Sequence, residues 1–230
     1  MILDVDGTLV DSNGAHARAW VDAFAEHGIT VALEQVRRAI GMGGDKLMPA
    51  VAGIEEDSPE GKQVSKRRGE IFKARFLPTL RAFPRVRELL QRFSSDGFTL
   101  AVASSAQQDE LAPVLKIAGV EDLIVTTTSS DDAESSKPDP DIVQAALKRT
   151  GCDPGSAIML GDTPYDVEAA LRAGIRIVGL ECGGWGRADL RGAAEVYADP
   201  ADLLARYETS IFARVRVEED VDVERARPSA

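Results

Sequence analysis

The most informative stretch of the 230-residue chain is Asp4-Val5-Asp6-Gly7-Thr8-Leu9-Val10-Asp11-Ser12. Residues i and i+2 of a strand point the same way, so Asp4 and Asp6 can reach one small site where a short apolar strand ends. Gly7 allows backbone N–H groups to surround an anion there. This arrangement suits phosphoryl transfer with one aspartate as nucleophile and the other as acid and base. A pair of acids alone is a weak signal, because such pairs are more often solvated or cap a helix.

Two later segments add groups that could bind a phosphoryl oxygen. The apolar run 98–103 reads as a buried strand and ends at Ser104 and Ser105, although a hydroxyl in that position is usually a helix N-cap. Lys137 lies in a loop rich in serine and proline, where its ammonium could offset the negative charge of the site. A lone loop lysine is otherwise most often solvated.

A further strand end carries two more carboxylates. The short apolar run 157–160 leads into Gly161 and Asp162, and Thr163-Pro164 is a typical helix start. This leaves Asp162 at the strand end, while Asp166 falls in the first turn of the helix. A favourable interaction with the helix dipole is the ordinary explanation for an acid in that position.

Taken in order, these four segments resemble the four motifs of the haloacid dehalogenase superfamily of phosphohydrolases. The resemblance implies that Asp4 is the nucleophile, that Asp6 is the acid and base, and that Ser104, Ser105 and Lys137 bind the phosphoryl group. It also implies a Mg²⁺ ion bound by the Asp4 carboxylate, the Asp6 carbonyl and Asp162, with Asp166 supporting the site without binding the ion.

The chain divides into a core and a helical insert. Residues 13–83 show helical periodicity, with a first helix ending at Gly28, a second over 33–40 and a third from Ser58 towards Phe76. The resemblance implies that this insert is the cap that closes over the active site. We assign 1–12 and 84–207 to the core and 208–230 to a C-terminal tail.

Short apolar strands alternate with helices in the core, which predicts an α/β fold: a Rossmann-like three-layer core with a parallel sheet covered on both faces. Ligands of such sheets bind beyond the carboxyl ends of the strands. The predicted strands are 98–103, 122–126, 157–160, 175–180 and 195–197, and the predicted helices are 86–93, 108–117, 140–148, 165–173 and 187–193.

Composition agrees with an ordinary globular enzyme, at 44% hydrophobic and 28% charged residues. A net charge of −11 argues against a nucleic-acid partner. The two cysteines form no disulfide framework or metal-ligand spacing. With no signal peptide or membrane span in the sequence, we expect a cytoplasmic monomer or homodimer that acts on a small phosphorylated metabolite.

Three residues of the insert are weaker candidates. His16 lies near the hinge where the insert begins, and the resemblance extends to a similar histidine in β-phosphoglucomutases. Gly43 belongs to a glycine-rich loop that resembles the cap loop dipping towards the active site. Lys46 could reach a second anionic group, but a solvated helix face is the commoner explanation for such a lysine. Trp185, in a glycine-rich loop, receives no assignment.

The two ends of the sequence depart from the family pattern. Only three residues precede Asp4, so we expect either an apolar segment upstream of this sequence or a short first strand. The segments 214–217 and 220–223 alternate like exposed strands, although their charge suits a mobile tail equally well.

The resemblance predicts a phosphatase and leaves two alternatives. A phosphomutase of the β-phosphoglucomutase type would carry an arginine in the cap loop, a Lys-Asn pair after the second motif and a glutamate at Gly161, and all three are missing here. The other alternative is a phosphate-binding protein without activity. Phosphoglycolate and sugar phosphates are the substrate classes that the resemblance implies.

Overall fold

The computed structural model describes residues 1–214, so the alternating segments predicted at 214–217 and 220–223 lie, apart from Arg214, outside the described residues. A six-stranded parallel sheet forms the core, in the order β3-β2-β1-β4-β5-β6, which confirms the α/β prediction. The strands are β1 (Ile2–Leu3), β2 (Ala101–Ala103), β3 (Thr126–Thr128), β4 (Ile158–Gly161), β5 (Arg176–Leu180) and β6 (Glu195–Tyr197).

Helices cover both faces of this sheet and form the insert. The insert contains α1 (Asn13–Glu26), α2 (Leu33–Arg37), α3 (Gly44–Ala52) and α4 (Pro59–Ile71), and the core contains α5 (Val86–Ser95), α6 (Gln108–Ala118), α7 (Asp141–Thr150), α8 (Pro164–Arg172) and α9 (Pro200–Ala205). None of the helices within residues 1–214 has the length and apolarity needed to cross a bilayer.

The central strand is short but fully enclosed. Ile2 pairs with Ala101 on one side and with Met159 on the other, so β1 lies between β2 and β4. Ile2 packs into the hydrophobic cluster beneath α7 and α8, whereas Leu3 joins the larger cluster that extends into the insert. A strand that is buried on both faces of a parallel sheet typically has a continuous apolar sequence, as β1 does.

The chain enters and leaves the insert through two adjacent segments. The Asp11 amide donates to the Arg81 carbonyl at 3.0 Å, and the Phe83 amide donates to the Leu9 carbonyl at 3.0 Å. Residues 13–83 are called the cap from here on. The stretch after Asp6 therefore leads directly from the site into the cap.

Two predicted elements of the core are wrong. Residues 121–123 form a 3₁₀ turn rather than a strand, and the exposed Asp122 carboxylate accepts from Arg87 Nη1 at 2.7 Å. The strand is formed instead by the β-branched Thr126–Thr128. The helix predicted at 187–193 is absent from the structure, which forms glycine-rich turns there, with Gly192 at a φ of +108°.

The cap follows the predicted periodicity with two differences. Its second helix ends at Arg37 rather than at Ile40, and α3 was not predicted. The third predicted helix begins where expected, since the Ser58 hydroxyl accepts from the Gly61 amide at 3.0 Å. It continues beyond α4 as a π-helical turn, Phe72–Phe76.

Part of the segment assigned to the tail packs on the core. Phe212 is fully buried, with its ring 4.8 Å from that of Phe93 on α5 and 6.2 Å from that of Tyr207. Residues 211–214 form a last helical turn against this aromatic cluster.

Candidate active site

The predicted site residues meet at the carboxyl edge of the sheet. Asp4 follows β1, Ser104 follows β2 and Asp162 follows β4, and Lys137 reaches them from the loop before α7. Oxygens of Asp4, Asp162 and Asp166 all lie within 4.8 Å of one another.

Asp4 is a buried carboxylate with both oxygens contacted. Oδ1 accepts from Lys137 Nζ at 2.6 Å, and Oδ2 lies 3.0 Å from Thr8 Oγ1. Burial raises the pKa of Asp4 to about 7, with Lys137 opposing the shift and Asp166 adding to it. The pKa of Asp162 is raised well above its ordinary value by burial and by Asp4. The site thus holds more negative charge than one lysine balances.

Lys137 is the buried cation of this cluster, with a side chain only 1% exposed. Its Nζ donates to Asp4 and to the Ala103 carbonyl at 2.8 Å, and it lies 2.8 Å from Asp166 Oδ1. Burial by itself would lower the pKa of Lys137, but Asp166 and Asp4 outweigh it and raise the pKa. Lys137 therefore remains charged, unlike the solvated lysine that its loop position alone would suggest.

Asp162 is fixed from two sides. Its Oδ1 lies 2.7 Å from Thr8 Oγ1, and its Oδ2 accepts from Asn13 Nδ2 at 2.9 Å. Asn13 also donates to the Gly183 carbonyl at 2.9 Å. A Cβ on Gly183 would lie 1.7 Å from Asp162 Oδ2, so glycine is needed for this close approach.

Asp166 has two roles in the structure. Its Oδ2 accepts from the Thr163 amide at 3.0 Å, and the Asp166 amide donates to the Thr163 hydroxyl at 3.1 Å, which together form a capping box at the start of α8. Its Oδ1 faces Lys137. Asp166 therefore caps the start of α8 with one carboxylate oxygen and contacts Lys137 with the other.

Asp6 is tied to the start of the cap. Its Oδ1 accepts from Ser12 Oγ at 2.5 Å and from His16 Nε2 at 2.9 Å. Burial would raise the pKa of Asp6, but His16 and Ser12 outweigh it and lower the pKa. The His16 ring in turn stacks on Phe72, with ring centroids 4.0 Å apart. His16, the hinge candidate, thus contacts both Asp6 and the π-helical turn that follows α4.

A cavity of about 60 Å³ lies between the core and the cap at this site. Ser104 lines it, and its hydroxyl accepts from the Ala106 amide at 3.1 Å. The hydroxyl of Ser105 donates instead to the Gly41 carbonyl at 3.1 Å. The other lining residues are Asp4, Asp6, His16, Trp20, Ile40, Gly41, Met42, Gly43, Gly44, Arg68, Ala106 and Glu110.

The glycine loop of the cap contacts the Lys137 segment. The Gly43 amide donates to Ser136 Oγ at 2.9 Å, and a Cβ on Gly43 would lie 2.6 Å from Ser136 Cβ. Lys46 is not among the cavity-lining residues and pairs with Asp139 on α7's N-terminal side. Of the three cap candidates, His16 and Gly43 are therefore at the cavity and Lys46 is outside it.

Four residues at the site were missed from the sequence. Thr8 was inside the quoted motif, but nothing local indicated that it bridges Asp4 and Asp162. Asn13, Arg68 and Glu110 carry no sequence signal, because each acts through a contact distant along the chain. The unassigned Trp185 lies outside the cavity, beneath the guanidinium of Arg38 at 4.6 Å, and so joins the core rim to the cap.

The donor set fits a hard divalent cation. Two buried carboxylates, Asp4 and Asp162, approach each other with raised pKa values, and oxygen ligands are what Mg²⁺ and similar ions prefer. Bound positive charge would offset the burial and the mutual repulsion of the carboxylates, which raise both pKa values.

A family model of haloacid dehalogenase-like hydrolases matches residues 1–180. The chain belongs to this family. The solved structure of a hydrolase from Pseudomonas syringae is 30% identical with a TM-score of 0.84, covering 90% of this chain and 97% of that chain. The resemblance carried by the four motifs is thus confirmed for fold and family.

Curated relatives of this haloacid dehalogenase-like hydrolase include phosphatases. It is 30% identical over 188 residues to the phosphoglycolate phosphatase of Yersinia pestis, covering 78% of this chain and 79% of the relative. It is 29% identical over 182 residues to the pyrophosphatase PpaX of Bacillus velezensis, covering 78% and 82%. It also matches 18% of the length of Protein SUPPRESSOR OF QUENCHING 1, chloroplastic, from Arabidopsis thaliana, at 30% identity. The chain is therefore a hydrolase of this family, and its curated relatives include phosphatases.

Proposed function

We propose that the protein is a Mg²⁺-dependent phosphatase that hydrolyses a small phosphate monoester through an aspartyl-phosphate on Asp4. The observation that carries the proposal is the Asp4 carboxylate, which is buried between the Lys137 ammonium and Thr8 and lies beside Asp162. A nucleophilic carboxylate next to a fixed cation and an ion site is what covalent phosphoryl transfer needs.

In the first step an Asp4 oxygen attacks phosphorus, and the ester oxygen leaves with a proton from Asp6. In the second step Asp6 removes a proton from water, which attacks the same phosphorus and releases phosphate and Asp4. Such a proton relay contributes roughly a hundred- to ten-thousand-fold to the rate. Asp6 regains in the second step the proton that it gives in the first, and its contacts with Ser12 and His16 hold the carboxylate in place.

Charge on the transferring group is balanced by two means. Lys137 and the Ser104 hydroxyl would contact the phosphoryl oxygens, and the Asp4 and Asp162 carboxylates with the Asp6 carbonyl would hold Mg²⁺. When bound, the ion would neutralise charge on the phosphoryl group. Asp166 belongs to the same cluster of oxygens, but its own oxygens already contact Lys137 and Thr163.

Phosphoglycolate or a sugar phosphate is the proposed substrate, in keeping with the phosphoglycolate phosphatase among the relatives. A mutase is disfavoured because a side chain at Gly161 would lie 2.7 Å from Asp166 Cβ, so the glutamate of the mutases has no room there. We further propose that the enzyme acts in the cytoplasm as a monomer or homodimer.

The test is p-nitrophenyl phosphate turnover by metal-free protein, before and after Mg²⁺ is added. We expect turnover only with Mg²⁺, no turnover by Asp4→Asn, and slow turnover by Asp6→Asn with metal binding retained, because only its carbonyl binds the ion. Activity of Asp4→Asn within about tenfold of wild type would contradict the proposal, since the nucleophile cannot be replaced by an amide.

A further inference from the structure

The cavity contains one cationic side chain from the cap, and that side chain is already neutralised. Among the described residues that line it, Arg68 on α4 is the only lysine or arginine. Its Nη1 donates to Glu110 Oε2 on α6 at 2.5 Å, and the two side chains are only 10% and 1% exposed. The guanidinium lies over the Trp20 ring, 5.0 Å from its centroid. Part of the cavity wall is therefore a buried ion pair with no net charge.

An ion pair with no net charge attracts an anionic leaving group less strongly than a lone arginine does. A carboxylate placed beside Arg68 would be attracted by the guanidinium and repelled by the Glu110 carboxylate at a similar distance. Neither charge is screened effectively, because both side chains are buried. The desolvation cost of the added charge would then remain without compensation.

The pair also keeps one donor and one acceptor without a partner. Arg68 Nε and Glu110 Oε1 are buried, and neither forms a hydrogen bond with another described residue. A hydroxyl can accept from an N–H group such as Nε–H and can donate to an oxygen such as Oε1, so it suits either atom. A carboxylate only accepts, and it would leave the Glu110 oxygen unpaired.

We infer that Arg68 and Glu110 select phosphate esters whose leaving group is uncharged and bears a hydroxyl, such as a small polyol or sugar, over esters with an anionic leaving group. The inference rests on the proposed phosphatase function and chooses between the two substrate classes left open there. It places a specificity determinant on a contact that spans cap and core. The cavity volume of about 60 Å³ fits a small leaving group.

The test compares esters that differ at one group. In 2-hydroxyethyl phosphate the leaving group ends in a hydroxyl, in 2-phosphoglycolate it ends in a carboxylate, and in ethyl phosphate it carries neither. We expect wild-type kcat/KM for 2-hydroxyethyl phosphate to exceed both others by at least about tenfold, the ratio that one unpaired buried polar group corresponds to.

Glu110→Gln removes the negative charge and keeps the shape of the side chain. We expect it to raise the kcat/KM ratio of 2-phosphoglycolate to 2-hydroxyethyl phosphate by about tenfold, because Arg68 would then face the carboxylate without an opposing charge. The matched control is Asp109→Asn, the same change one residue earlier on α6, where the side chain is 64% exposed and pairs with Lys73. Its ratio should stay at the wild-type value. A ratio within one variant does not depend on how much of the protein is folded.

A wild-type preference for 2-phosphoglycolate would overturn the inference, and so would a Glu110→Gln ratio equal to that of Asp109→Asn. The wild-type comparison holds even if Glu110→Gln fails to fold. Turnover of p-nitrophenyl phosphate distinguishes a failure of the specificity inference from a failure of the proposed function. If it proceeds while the preference is absent, only the specificity inference fails. If wild-type protein with Mg²⁺ hydrolyses none of the four esters, the proposed function fails and the inference with it.

Discussion

Replacing Lys137 with methionine should destabilise the metal-free protein strongly. The substitution keeps the apolar stem and removes a charge that is 1% exposed and contacts both Asp4 and Asp166. Breaking a buried ion pair by removing one partner costs about 3–5 kcal/mol, because the remaining charge is left buried without compensation. Two carboxylates share this lysine, so we expect the upper part of that range at about pH 8.

The loss should depend on pH in a definite direction. Burial already raises the pKa of Asp4 to about 7, and removing Lys137 takes away the influence that lowers it. At about pH 5 the Asp4 carboxyl of the variant is protonated and uncharged. The destabilisation should therefore shrink by at least about 1 kcal/mol, which corresponds to a change of about one unit in the pKa of Asp4.

The assay is urea unfolding in EDTA at both pH values, with Lys46→Met as the control. Lys46 pairs with Asp139 through side chains that are 24% and 36% exposed. An exposed pair of this kind is worth about 0–1 kcal/mol. A loss below about 1 kcal/mol for Lys137→Met at about pH 8, or the same loss at both pH values, would refute the reasoning about buried charge.

Four further predictions follow from other contacts. Asn13→Ala frees Asp162 Oδ2, and we expect the Mg²⁺ affinity measured by titration calorimetry to fall about tenfold or more, as for other residues that orient a metal ligand; an unchanged affinity would contradict this. The metal-free protein should lose thermal stability as pH rises from about 4 to about 7, because folded Asp4, with its pKa raised from 3.8 to about 7, binds more protons than the unfolded chain in that window. Added Mg²⁺ should raise the melting temperature more at about pH 8 than at about pH 5, and equal increments would argue against the Asp4 and Asp162 site. Phe93→Ala should cost about 3–5 kcal/mol in urea unfolding, since its fully buried ring packs against Phe212, and a loss under about 1 kcal/mol would show that residues 211–214 do not pack as described.

Local motifs account for the part of the site that the sequence predicted. Asp4, Lys137 and Asp162 each follow a short apolar run or stand in a distinctive loop, and the topology of a parallel sheet brings such positions to one edge. The strands at 101–103 and 158–161 were found for the same reason, because continuous apolar runs are typical of buried parallel strands.

Other features depend on contacts that periodicity cannot reveal. Arg68 and Glu110 are 42 residues apart, and each looks like an ordinary charge on a helix until the cap is packed on the core. The apolar residues at 123 and 124 favoured a strand that begins at 122, four residues before the start of β3. Strand β3 consists of threonines, and the Thr128 hydroxyl donates to the Val102 carbonyl at 2.8 Å. Helix α3 follows two glycines and contains Pro49, so its composition argued for a loop.

The stereochemical course at phosphorus tests the covalent mechanism most directly. The measurement uses p-nitrophenyl phosphorothioate made chiral at phosphorus with oxygen isotopes, hydrolysed by wild-type protein with Mg²⁺ in water that carries the remaining isotope. Attack by Asp4 followed by attack by water gives two in-line displacements, so the account predicts inorganic thiophosphate with overall retention of configuration. Inversion would mean that water attacks the ester in a single step, which would contradict the role of Asp4 as nucleophile.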